Sequence, residues 1–510
     1  MKIKSRLITA AGIFYIYLPL IAFLLRWTNI LTSVICMAAA ALCIIRIIKN
    51  SNNCSEDTIY IEPFIFIGAI LFFCWIGYYA GWGRFVDQTD DWRKHNALLA
   101  DLVNRKWPVY YVNGDDHSML VYYIGQYIIP ALAGKIFRSV RIAETALYIW
   151  NEIGLILVFL NIINYLKIKN FQGQLICMLM IPFFSVPLWL SELILKRLTG
   201  INMMGSIRWF YDYHYIKLQY SNNYTLLRWV FQQTITIWLI TVLFMKYKDR
   251  LEYYVPLLLP AVMYGLFGFI GIIFLAAGGL FEMILKIKNG SRILKKIFSP
   301  ENICTALTWG LVFLAYYSGN IFSEKPEVLG FSLMPYQNES YSIYFIFIFT
   351  NVIPYTLILL PGHRKDGVYY ASALTLILLP LFTMGMFNDL VMRSSIPALF
   401  VFMVYLLELL NDHFIIHKAQ KNLSVMRKIG VSAAVILLLC GAHFAMVELS
   451  DTVYTDEYHE PGKAFDLDSL QSYASRTEIV REDLNYNYFA YDIEDNLFYK
   501  FIARKKIRYE

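Results

Sequence analysis

The sequence predicts an all-α integral membrane protein with about thirteen transmembrane helices, long extracytoplasmic loops and a small extracytoplasmic C-terminal tail. Three observations predict it. The 510 residues are 58% hydrophobic and 16% charged, with a mean hydropathy of +0.49; an ordinary soluble domain is about 45–50% apolar and about 25% charged. Apolar runs of the ~20 residues that one crossing needs recur along most of the chain. Short basic segments separate alternate runs. Composition therefore excludes a soluble globular enzyme and a disordered protein. The formal charge of +7 becomes a question of which side of a membrane the basic residues occupy.

The spans are read at 8–25, 30–48, 61–79, 145–166, 174–190, 229–245, 253–264, 268–285, 304–318, 341–360, 368–387, 395–410 and 430–448. The 253–285 stretch is long for one helix and tight for two, so it is split near Gly265 and Gly268 as a short hairpin. Alternation from a cytoplasmic N-terminus gives a charge test. The cytoplasmic connections would carry Lys2, Lys4 and Arg6; Arg46 and Lys49; Lys167 and Lys169; Lys246, Lys248 and Arg250; Lys286 through Lys296; Arg364 and Lys365; and Lys418 through Lys428. All of them are short and basic, as the positive-inside bias requires. The outer side then receives loops 81–144 and 191–228, short loops near 319–340 and 388–394, and the tail from Leu449. The apolar stretch 117–137 is read as an amphipathic or half-buried helix on the outer face, because a crossing there would invert every later loop. The chain so divides into two leading helices (1–60), a main module (61–448) and the tail (449–510). Six of the seven cysteines fall in spans and Cys54 in a cytoplasmic loop, so no disulfide framework is implied. A plasma (inner) membrane location follows from this multi-pass layout.

Ionisable residues that carry chemistry gather outside. The first outer loop holds six aspartates and two histidines between Asp87 and His117. Asp90 and Asp91 open a helix-like run to Leu102 and suit its N-cap. Asp91 and His95, four apart, share a face, with Lys94 beside them, and Leu98, Leu99 and Leu102 form an apolar side. Asp115, Asp116 and His117 form a second cluster. Such groups serve as helix caps, as ligands for a divalent metal such as Mg or Mn, or as a general base toward a hydroxyl. Spacing alone leaves these three open. The second outer loop adds Lys196, Arg197, Arg208, Lys217, Asp212 and His214, and a later segment pairs Asp389 with Arg393 four residues on. Trp92 and Trp107 are candidates to stack on sugar rings or to join an interfacial belt. The tail carries 13 acidic and 8 basic residues with many aromatics, and reads as a lid or as a packed cap.

An acidic pair just after an early span, then a helix, then the apolar LVYYIGQYIIPALAGKIF, then Arg141, resembles the GT-C superfamily of polytopic glycosyltransferases that use lipid-phosphate sugar donors. Segments 218–239 and 386–400 also resemble its outer-face segments, and the likeness covers roughly 61–448. It implies an inverting transfer from a polyprenyl-phosphate sugar to an extracytoplasmic glycan, lipid or protein acceptor. Asp91 or Asp90 would be the base. Arg393, Lys196, Arg197 and Arg208 would hold the phosphate. His95, Lys94, Asp115, Asp116, His117, Asp212 and Asp389 would support them. The family more often has Asp-Glu where this chain has Asp-Asp. A transporter or lipid flippase and a surface-polysaccharide polymerase or ligase are the alternatives. Charged residues deep in spans would mark transport; they are few, and Glu282 and Glu408 fall toward span ends. No phosphate-binding loop motif occurs, and nothing points to nucleic acid.

Overall fold

Helix dominates the computed structural model, which describes residues 1–50, 58–89, 91–113, 116–200, 218–287, 290–321, 332–333, 342–384, 388–419, 425–458, 469–470, 488–490 and 493–505. In chain order the elements are β1 (Lys2–Lys4), α1 (Ser5–Trp27), α2 (Ile30–Asn50), β2 (Thr58–Tyr60), α3 (Pro63–Tyr79), α4 (Trp92–Asn104), β3 (Tyr110–Asn113), β4 (Asp116–Leu120), α5 (Gly125–Phe137), α6 (Val140–Leu166), α7 (Phe171–Phe183), α8 (Leu188–Thr199), α9 (Asn223–Trp229) and α10 (Ile235–Tyr247). There follow α11 (Tyr254–Leu258), α12 (Leu266–Lys286), α13 (Gly290–Ile297), α14 (Pro300–Thr305), α15 (Leu311–Ile321), β5 (Ser332–Leu333), α16 (Ser342–Asn351), α17 (Ile353–His363), α18 (Gly367–Leu378), β6 (Phe382–Thr383), α19 (Asp389–Ser394), α20 (Ile396–Ala419), α21 (Val425–Tyr458) and β7 (Phe489–Ala490). Polar side chains start several helices by accepting from orphan N–H groups: Ser139 for α6, Asn222 for α9, Ser299 for α14 and Asp366 for α18.

Among the described residues, seven helices are long and apolar enough to cross a membrane alone, and up to ten spans result if each of three bent pairs counts as one. Three shorter apolar helices, Pro63–Tyr79, Leu251–Met263 and Gly367–Leu381, fall where further spans were expected. The breaks have local causes. Between α7 and α8 the chain runs through Phe184–Pro187, and the pair bends by 50°; the residue before a proline is pushed out of the helical region. The α9–α10 pair bends by 112° at Val230. Gly265 separates the helical turns at Leu251–Met263 from α12, where the hairpin was expected. Large apolar side chains such as Phe64, Leu31 and Phe349 point outward, which suits a chain whose solvent is lipid.

Packing corrects some boundaries. Helix α1 is not an appendage: it packs along α6 and contacts α5 and α10. Helix α21 runs ten residues past Glu448. Loop 81–144 is built rather than open. The stretch 117–137 starts as strand β4, and only α5 is helical; at 13 residues it is too short to span. Strands β3 and β4 form an antiparallel hairpin, so the chain is not purely helical. The tail adds β7 to that hairpin, with Met119 opposite Ala490 and Leu120 opposite Phe489. It then closes over the C-terminal end of α1, where Trp27 O accepts from Arg504 N at 2.8 Å. The described residues of the tail from Tyr488 onward thus pack on the first loop and on the end of α1.

Candidate functional site

The site grows from the turn after α3. Gly81 and Gly83 take positive φ of 86° and 79°, a conformation that glycine adopts without a Cβ penalty, and Trp82 is buried between them. Helix α4 then begins with Asp91 in the capping position. Contrary to expectation, Asp91 caps nothing: its own φ and ψ are helical, −63° and −25°, so its carboxylate does not face the N–H groups of the first turn. It meets Lys94 instead, Oδ1 to Nζ at 2.9 Å. Its side chain is 34% exposed and that of Lys94 15%. A carboxylate released from capping and open to one side is free to meet a ligand.

His95 lies one turn further on the same face, fully buried. Its Nδ1 shares a hydrogen bond with the Tyr127 hydroxyl at 2.7 Å, and Trp92 and Phe231 pack on its ring. Burial, reinforced by the charge of Lys94, pushes the imidazole down to about 3, although Asp91 works the other way. It is therefore a neutral orienting group at physiological pH. Burial would push the Asp91 carboxyl up, but Lys94 and His95 outweigh it and hold the carboxyl below its ordinary value. For Lys94, burial works downward, and Asp91 and Tyr122 outweigh it to raise the ammonium above its ordinary range.

The second half comes from far along the chain. Asn388, at a φ of 59°, turns the chain into α19. Asp389 and Arg393 pair across one helical turn at 3.0 Å. Arg393 and Asp91 act electrostatically on each other, and Arg393 also acts on Tyr122 and Tyr123. The three outer-face segments singled out in the sequence thus adjoin. The α9–α10 break places Phe231 on Trp92 at 4.9 Å, and Trp238 of α10 stacks on Phe400 at 5.9 Å.

The structure brings together Asp91, Lys94, His95, Asp389 and Arg393. Lys196 and Arg197 sit exposed on the last turn of α8, whose packing partners are α16 and α21. His117 lies in β4 opposite Val112, and Asp116 lies in the same strand opposite Asn113. Asp90, Asp115, Arg208, Asp212, His214 and Lys217 lie outside the described residues. No group of three or more His, Cys, Asp or Glu among the described residues is arranged to hold a metal ion. Trp92 and Trp107 are both buried, Trp92 donating to Arg228 O and Trp107 packed on Trp27. They are core residues rather than platforms for a sugar.

Three features escaped the sequence reading. Tyr122 and Tyr123 lie within electrostatic reach of the two ion pairs. Glu152 sits midway along α6, buried, with neither oxygen hydrogen-bonded. At the other end of the bundle, Lys248 meets Asp366 at 2.8 Å and Glu282 at 3.4 Å. Only Glu152 had a local signal, an ionisable residue inside an apolar run. No known protein family, curated protein or solved structure matches the chain.

Proposed function

We propose that the protein is a membrane glycosyltransferase of GT-C type, acting on the extracytoplasmic face. The observation that carries this reading is that the Asp91–Lys94 pair, beside the α9–α10 break, lies within electrostatic reach of Arg393, which pairs with Asp389. A reaction between a lipid-phosphate sugar and a hydroxyl acceptor needs these parts. Asp91, held ionised, takes the acceptor proton. The acceptor oxygen bonds to the sugar carbon as the bond to the phosphate oxygen breaks, with inversion. The phosphate leaves with the electron pair, and Arg393 and Lys94 neutralise it. His95, neutral and fixed by Tyr127, braces the helix that carries Asp91.

The sidedness follows the same reading. The helix ends that bear Lys246, Lys248 and Lys286 gather at one end of the bundle with the N-terminal segment. There Lys246 donates to Thr9 at 2.7 Å, and Lys286 reaches Glu282. We assign that end to the cytoplasm of a plasma (inner) membrane, which puts the site and the tail outside. Thirteen crossings fit this assignment, with the bent pairs and short helices as spans. Membrane lipids surround the bundle, the donor's prenyl chain lies among them, and the acceptor is a glycan, lipid or protein. Glu152 favours a second reading, a flippase or transporter, because an unpartnered intramembrane carboxyl is the mark of such a path.

The test is transfer from a panel of prenyl-phosphate sugars by membranes containing the full chain. Asp91→Asn should lower the rate by about 10²–10⁴-fold, the usual worth of a general base, with insertion unchanged. Full activity in that variant would remove the mechanism.

A further inference from the structure

Two adjacent phenols that the mechanism above leaves unused lie within electrostatic reach of the two ion pairs. Tyr122 and Tyr123 follow β4 directly, ahead of α5. Their rings are fixed from several sides. Tyr122 packs on Tyr488 of the tail at 4.7 Å and on Tyr123 at 4.8 Å, and Tyr123 packs on Tyr317 at 6.2 Å. The backbone is fixed too: Tyr122 N donates to the Tyr316 hydroxyl at 3.4 Å, and Tyr122 O accepts from the Tyr317 hydroxyl at 3.5 Å.

Neighbouring tyrosines spend their hydroxyls inside the protein. Tyr127 pairs with His95, Tyr316 donates to Leu120 O at 3.0 Å, Tyr317 donates to Val262 O at 3.2 Å, and Tyr111 donates to Asp101 at 2.8 Å. The Tyr122 and Tyr123 hydroxyls have no hydrogen-bond partner among the described residues. Both face charge: Lys94 and Arg393 act on Tyr122, and Arg393 and Asp389 act on Tyr123. Two hydroxyls left without a partner among the described residues, on rings rigidly held and under the influence of two cations, are a prepared set of contacts. Cations suit the phosphate. Neutral phenols, each a donor and an acceptor, suit hydroxyl groups.

We propose that Tyr122 and Tyr123 are ligand-binding residues whose hydroxyls recognise the hydroxyl-bearing sugar attached to the donor phosphate. This rests on the glycosyltransferase reading and assigns the specificity of its site to these two residues rather than to Trp92 or Trp107.

The test uses the full chain in nanodiscs and two probes, a short-chain prenyl phosphate and the same prenyl phosphate carrying glucose. Tyr122→Phe and Tyr123→Phe keep the rings and their packing, so the fold is retained. Each variant should bind the glucosylated probe roughly tenfold more weakly, the scale of a lost hydrogen bond to a buried partner, and bind the bare phosphate as the unaltered protein does. Unchanged binding of the glucosylated probe in both variants overturns the proposal. So does equal weakening toward both probes, which would place the hydroxyls on the phosphate. If the unaltered protein binds neither probe, the glycosyltransferase reading falls, and this assignment falls with it.

Discussion

Two clusters of ion pairs sit at opposite ends of the bundle, and they are built on different principles. At the end assigned to the cytoplasm, both carboxylate oxygens of Asp366 and of Glu282 are committed. Asp366 accepts from Val368 N at 2.9 Å, Tyr369 N at 3.3 Å, the Tyr405 hydroxyl at 2.8 Å and Lys248 at 2.8 Å. Glu282 accepts from Gly367 N at 2.9 Å and from both Lys248 and Lys286. His363 stacks on Tyr405 at 3.8 Å and lies 3.9 Å from Asp366 and Glu408. This cluster ties α10, α12, α18 and α20 together. At the other end, Asp91 has one strong partner, Asp389 and Arg393 have each other, and two phenols have no hydroxyl partner among the described residues. Saturation marks a structural joint, and deliberate incompleteness marks a place for a ligand.

The sharpest way to break this contrast is to remove one acid from each end. Asp366→Ala should lower unfolding free energy by about 3 kcal/mol, the scale of breaking a buried network of charge-assisted hydrogen bonds, as read by thermal unfolding in detergent. Asp91→Asn should change stability by less than about 1 kcal/mol, because a pair this exposed is worth little, while transfer collapses. Equal stability losses would erase the distinction between joint and site.

A second, smaller effect lies in pH. Lys94 is a main reason that Asp91 sits below the ordinary carboxylate range, so the carboxylate stays ionised down to acidic pH, as the proposed base needs. Lys94→Met should move the acidic limb of the pH–rate profile upward. A profile unmoved in that variant would show that Lys94 does not control Asp91. His95 has the opposite relevance. Its folded value, about 3, is below the about 6.5 of an unfolded histidine. The stability it contributes is therefore fully present above about 6.5 and is lost as pH falls toward 3. His95→Asn should flatten the acid side of the stability curve.

How much of this was readable beforehand depends on how local each signal is. Asp91, His95 and Arg393 stood out because spacing of four on one helix is a local property. The apolar runs marked the helices for the same reason. The breaks at Val230 and between Phe184 and Pro187 were less legible, since hydropathy does not register a change of direction inside an apolar run. Asp91 looked like a cap from its position, and only its backbone angles denied it that role. Tyr122 and Tyr123 read as two more aromatics among 38 tyrosines. Their meaning comes from Tyr488, Tyr317 and Arg393, which lie some 195 to 366 residues away along the chain. Partnering and its absence are long-range facts.

The smallest expected effect concerns two residues that the sequence ranked with Arg393. Lys196 and Arg197 have the right charge for a phosphate, but they occupy the last turn of α8, exposed, on a helix packed against α16 and α21. There a cation complements the C-terminal end of the helix dipole, worth about 0.3–1 kcal/mol at most in water. Lys196→Gln with Arg197→Gln should therefore lower the melting temperature by no more than a few degrees and leave transfer within about twofold, since surface changes away from special features fall within about 0.5 kcal/mol. Arg393→Gln, measured beside it, should abolish transfer. If the α8 double variant lost activity comparably, the phosphate would be bound from the second loop, and the outer site would have to be redrawn around α8 rather than α19.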